Sequence, residues 1–110
     1  MIDRSIGAEV LRRKLTYLAP ERLNSIYDCM DAVRNDAVSG DFTEFGVALG
    51  GSGVCLANAL DGDRRYFGFD VFGMIPPPTA IDGERVDARY QLIASGKSHG
   101  IGGGQYYGYI

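Results

Sequence analysis

Residues 40–60 read GDFTEFGVALGGSGVCLANAL, and this stretch limits the fold more than any other part of the chain. Residues 41–47 carry Phe42, Phe45 and Val47 with few charges, which suits a short buried strand. Gly46, Gly50, Gly51 and Gly53 follow at close spacing, and glycine lets a backbone turn sharply and approach a ligand. Ser52 is a natural helix N-cap ahead of the apolar run 54–60. The expectation is a strand, a glycine turn and a helix start, a place where parallel α/β proteins receive the polar or anionic part of a ligand.

Spacing narrows the ligand. A G-x-G-x-x-G fingerprint starting at Gly46 needs glycine where Ala48 stands, and one starting at Gly51 needs it at Leu56. A Walker A loop fits Gly46 and Gly51 but needs lysine where the chain has Ser52. Both phosphate-cradling patterns lose a defining residue. What remains is Glu-x-Gly-x-x-x-Gly-x-Ser at Glu44, Gly46, Gly50 and Ser52, then a second apolar strand over 65–71 with Asp70 near its end. An acid roughly 20 residues past the turn can accept from both hydroxyls of a ribose. The ligand expected is an adenosine with a polar tail that is not a phosphate.

At these residues the chain resembles class I S-adenosylmethionine-dependent methyltransferases. More narrowly, GDFTEFGV, GGS and GFDVFGMIPP resemble the macrocin O-methyltransferase family, with the similarity running from about Glu21 onward. The resemblance implies an α/β, Rossmann-like fold and transfer of a methyl group to a hydroxyl of a sugar or other small molecule. It implies S-adenosylmethionine as cofactor, with Glu44, Gly46, Gly50, Gly51 and Ser52 near its methionine part and Asp70 at its ribose. In longer relatives it implies Mg2+, whose ligands and catalytic groups lie in later strands that have no counterpart here. No metal ligand is therefore assigned.

The flanking segments read as support. Helices are expected within residues 1–18, with Val10, Leu11, Leu15 and Leu18 at helical spacing, and from Pro20, with Leu23, Ile26, Tyr27, Met30 and Val33 forming one apolar stripe. The first is a packing helix, a cap or a dimer arm. The second ends by residues 38–40 and covers one face of the sheet. Residues 73–78, GMIPPP, cannot be regular helix or central strand, and Phe72, Met74 and Ile75 either line the adenosine pocket or seal a core. A last helix is expected over 82–95 with Gly96 as its stop, and Asp82, Glu84 and Asp87 serve its dipole in preference to a metal. In the glycine- and tyrosine-rich tail, His99 is the single histidine and the candidate general base; the tail itself is a candidate lid or acceptor wall.

Composition sets the bounds. The 110 residues, 45% hydrophobic, allow one domain with a modest core. A net charge of −3 argues against a nucleic-acid partner. No long apolar run or signal-peptide pattern is present, so a cytoplasmic protein without a membrane partner is expected, with Cys29 and Cys55 as buried thiols. The whole reads as one partial methyltransferase domain: helices in 1–39, a strand–glycine loop–helix–strand cofactor half-site in 40–71, and loop, helix and tail in 72–110. Only the N-terminal helices and first βαβ unit of the fold are recognisable, so a truncated form or fragment is expected, or a domain completed as a homo-oligomer. The alternatives are a non-catalytic nucleoside-binding or assembly module and a dinucleotide-dependent oxidoreductase, the latter disfavoured by Ala48.

Overall fold

The computed structural model describes residues 1–110, which fall into two compact units, Met1–Asp70 and Val71–Ile110. The first unit holds α1 (Ser5–Arg12), α2 (Pro20–Asn35), β1 (Phe42–Phe45), α3 (Gly51–Asn58) and β2 (Tyr66–Phe69). β1 and β2 pair in parallel, Phe42 opposite Tyr66 and Phe45 opposite Phe69. Parallel neighbours need a crossover, and α3 supplies it.

The α2 stripe behaves as its spacing requires. Leu23, Tyr27 and Met30 are buried, with Ile26 and Val33 at the margin. They meet Ile2 from the stretch ahead of α1, Val10 from α1, Cys55 and Ala59 from α3 and its end, and Phe42 from β1. Gly7 lets α1 approach α2, since a Cβ there would lie 2.7 Å from Cε2 of Tyr27. The Tyr27 hydroxyl is buried without a well-formed hydrogen bond, and that burial, with the Cys55 thiol beside it, raises its pKa above the ordinary tyrosine range. Cys29 departs from expectation: it is exposed, because it falls off the side of α2 that carries Leu23, Tyr27 and Met30.

α1 is shorter than the apolar spacing through Leu18 suggests. Lys14 takes φ +57°, and the amides of Lys14 and Leu15 bond back to the carbonyls of Leu11 and Val10, which closes the helix in a Schellman motif. α2 ends the same way at Ala37, φ +52°, whose amide and that of Val38 return to Arg34 and Val33. A left-handed residue at these two ends carries no glycine to announce it. Residues 15–18 thus form a loop, tied by the Leu18 amide donating to the Thr16 hydroxyl at 3.1 Å.

In the second unit, residues 73–78 are irregular, as their prolines demand. α4 (Glu84–Ala94) starts later than expected because Gly83 breaks the backbone at φ +85°, ψ 174°. Asp82 belongs instead to a preceding 3-10 turn, where its carboxylate accepts from the Thr79 amide at 2.7 Å. Gly96 ends α4 at φ +78°. The tail is anchored within the second unit. It packs on α4: Tyr109 donates its hydroxyl to the Ile93 carbonyl at 2.5 Å, and its ring meets the buried Tyr106 edge-on. Phe72 and Met74 are exposed rather than sealing a core, and Ile75 is half-buried.

Candidate functional site

Side chains alternate along the two strands, so Phe42, Glu44, Tyr66 and Gly68 turn toward the helices while Thr43, Phe45, Phe67 and Phe69 face outward. Glu44 is therefore carried into the inner layer at the carboxyl end of β1. A carboxylate placed there needs hydrogen-bond partners. Ser52 donates to its Oε2 at 2.5 Å and Tyr66 to its Oε1 at 2.8 Å. Burial, and after it the Glu44 carboxylate, pushes the Tyr66 phenol up to about 12, so Tyr66 remains a donor throughout the physiological range.

Ser52 does not act as the N-cap expected of it. α3 begins two residues earlier than that cap would set it, at Gly51, with Gly50 at the cap position in a left-handed conformation, φ +90°. Ser52 is then the second helical residue, buried, and its hydroxyl goes to Glu44 instead of to the helix backbone. No side chain caps α3. Its first-turn amides, lacking intrahelical acceptors, are thus available to an anionic group.

The turn between β1 and α3 is held from β2. The Asp70 carboxylate accepts the amides of Val47 at 2.6 Å and Ala48 at 3.0 Å, both on Oδ2. Gly46 sits at φ +93°, where glycine is at ease, and its amide bonds to the Phe69 carbonyl at 2.8 Å. Ala48 takes φ +50° without that freedom, a strained position within the turn. The acid read from sequence as a ribose ligand is thus also the clamp that shapes the glycine turn.

A cavity of about 270 Å³ opens beside these groups. Glu44, Gly46, Ala48, Gly51 and Ser52 form one side, and Leu15, Tyr17, Leu18 and Ile26 face them from the α1–α2 loop and α2. Gly51 permits this closure: a Cβ there would overlap the Leu15 carbonyl oxygen and lie 2.7 Å from Val10 Cγ1. All six sequence-predicted cofactor residues, Glu44, Gly46, Gly50, Gly51, Ser52 and Asp70, lie in this first unit around the turn. Sequence reasoning missed Tyr66 and the 15–18 wall. A tyrosine two positions before Gly68 signals the former; the loop carries no comparable signal.

A larger hollow, about 690 Å³, lies at the opposite end of the strands around Asp41, Asp61, Arg64 and Arg65. Most of its charges pair with one another. Arg64 pairs with Asp61 at 3.0 Å and also reaches the Gly40 and Val38 carbonyls, and Arg65 pairs with Asp41 at 3.3 Å. In parallel α/β units ligands sit outside the carboxyl ends of strands, which favours the smaller cavity.

His99 lies in the second unit, exposed, in an isolated antiparallel bridge with Gln105. No group of three His, Cys, Asp or Glu side chains is arranged to hold a metal ion, and no helix is long and apolar enough to cross a membrane.

Two parallel strands joined by a crossover helix, with a glycine turn after the first and an acid at the carboxyl end of each, define a small α/β protein compatible with a methyltransferase-like fold. The chain belongs to the Macrocin-O-methyltransferase (TylF) family, whose model matches residues 2–96. No curated protein and no solved structure matches it significantly. The family's description points to O-methyl transfer.

Proposed function

We propose that the first unit binds S-adenosylmethionine across the glycine turn and that the chain serves methyl transfer to a hydroxyl of a sugar or other small molecule. The observation that carries this reading is the Glu44 carboxylate, held by two hydroxyls at the edge of a cavity that also borders an uncapped helix start. At about 270 Å³ the cavity suits an amino-acid-sized group better than a whole nucleoside. The donor set fits the methionine part of the cofactor. Glu44 complements its ammonium, the first-turn amides of α3 complement its carboxylate, and Leu15, Leu18 and Ile26 offer an apolar wall to its methylene chain. Asp70, just past the carboxyl end of β2, is the acid this reading sets against the ribose hydroxyls.

S-adenosylmethionine supplies an electrophilic methyl group when bound. The chain's own part is to fix the donor, keep water from the sulfur and bring up the acceptor hydroxyl. Mg2+ belongs to the same reading without assigned ligands here, and His99 is its one histidine base candidate. Radiolabelled methyl transfer from S-adenosylmethionine to a panel of sugar and phenolic hydroxyls, with and without Mg2+, tests it. Label in a small-molecule product supports the reading. Binding of S-adenosylhomocysteine without transfer to any acceptor favours the second reading.

That second reading is a nucleoside-binding or assembly module, favoured by the outer sheet face. Phe45 is 81% exposed and stacks on Phe69 at 5.3 Å, with Phe67 also exposed. Apolar faces and open strand edges of this kind promote association. Sedimentation equilibrium of the wild-type chain and a Phe45→Ser, Phe69→Ser variant tests it: a wild-type homo-oligomer dissociated by the substitutions supports assembly through this face, and a wild-type monomer rejects it.

A further inference from the structure

Tyr66 stands where β1, β2 and α3 converge. Its hydroxyl donates to Glu44 Oε1 at 2.8 Å, and the phenol occupies space left by two glycines. A Cβ on Gly53 would lie 2.6 Å from the Tyr66 hydroxyl oxygen, and one on Gly68 would lie 2.7 Å from it. Gly53 is in the first turn of α3 and Gly68 is inside β2, where glycine is unfavourable on propensity alone. Neither has positive φ, so chain reversal does not account for them. The slot they leave accounts for both: it admits a phenol and brings its hydroxyl to one oxygen of Glu44.

We infer that Tyr66 is a positioning residue for the cofactor's amino group: with Ser52 it locks the Glu44 carboxylate so that its remaining lone pairs receive an ammonium from the adjoining cavity. The inference rests on the cofactor reading above. A carboxylate offers about four acceptor directions, and Ser52 and Tyr66 take two, one on each oxygen. The last torsion of a glutamate is otherwise broad, so a carboxylate held at one oxygen only is poorly aimed. Tyr66 need not touch the cofactor to act. Its contribution is the direction in which Glu44 presents its charge.

Calorimetric titration with two ligands separates this role from a general structural one. S-adenosylhomocysteine carries the α-ammonium and carboxylate, and 5′-methylthioadenosine keeps the nucleoside and thioether without them. Tyr66→Phe is expected to weaken S-adenosylhomocysteine about tenfold, the scale of one hydrogen bond to a charged group, and to leave 5′-methylthioadenosine unchanged. In a Glu44→Gln background the same substitution should add little, because its effect passes through Glu44. Equal losses for both ligands, no loss, or full additivity with Glu44→Gln would overturn the inference. Failure of the wild-type chain to bind S-adenosylhomocysteine would instead overturn the cofactor reading, and this inference with it. Should Tyr66→Phe not fold, 3,5-difluorotyrosine at position 66 retains the shape while its phenol ionises at lower pH. Affinity for S-adenosylhomocysteine alone should then fall as pH rises through that ionisation, and a flat profile would reject the role.

Discussion

Gly51→Ala puts the closure of the candidate cavity at risk through one methyl group. The added Cβ would overlap the Leu15 carbonyl oxygen and come within 2.7 Å of Val10 Cγ1, and Val10 is only 3% exposed. Overpacking a filled core costs about 1–3 kcal/mol, and the upper part of that range applies because the obstructing atom is backbone and cannot rotate aside. The gain from replacing glycine by alanine in a helix, up to about 1 kcal/mol, offsets part of it. The net expectation is a loss of roughly 2 kcal/mol, from the clash and the offset together. In urea, with a slope of about 1–1.5 kcal/mol/M for a chain of this size, the unfolding midpoint should drop by roughly 1.3–2 M. Leu15 and Leu18 line the cavity, so the folded variant should also bind S-adenosylhomocysteine more weakly. An unchanged midpoint would refute the claim that α3 and the 15–18 loop meet through a glycine-sized gap.

Three further outcomes follow from the geometry. Lys14→Gly and Ala37→Gly each relieve a left-handed helix end and should raise stability by roughly 0.5–1 kcal/mol in the same urea assay. Asp70→Ala leaves the Val47 and Ala48 amides without their carboxylate and should cost about 1–3 kcal/mol of stability as well as affinity for S-adenosylhomocysteine; retention of both would reject the clamp. Asp31 accepts the Ile2 amide at 2.7 Å and pairs with Arg4, and these hold its carboxyl below the ordinary value of 3.8. The folded value is the lower one, so its contribution is present above about pH 4 and is lost as pH falls through the folded pKa. Asp31→Asn should accordingly flatten the acid limb of the stability profile, read from thermal melts between pH 2 and 5.

Much of the first unit is legible in the sequence because it rests on periodicity and glycine spacing. The α2 stripe of Leu23, Tyr27 and Met30, the two strands and the glycine turn are of this kind. Helix ends at Lys14 and Ala37 were not legible, since ordinary residues took the left-handed position usually marked by glycine. Ser52 misled for a related reason. Its cap chemistry was real, but a half-buried carboxylate eight residues earlier competed for the hydroxyl, and only the three-dimensional register brings Glu44 there. The clamping role of Asp70 was hidden for the same cause: the amides it holds are 22 and 23 residues away. Tail packing through Tyr106 and Tyr109 had no periodic signature at all.

Amide chemical-shift mapping of the 110-residue chain titrated with S-adenosylhomocysteine tests the central claim most directly, because the two hollows lie at opposite ends of the strands. The largest shifts should fall on Gly46, Ala48, Gly50 to Gly53 and Asp70, with smaller ones at residues 15–18. Shifts confined to Asp61 to Arg65, or none at all from a folded chain, would contradict the assignment of the cofactor to the glycine turn.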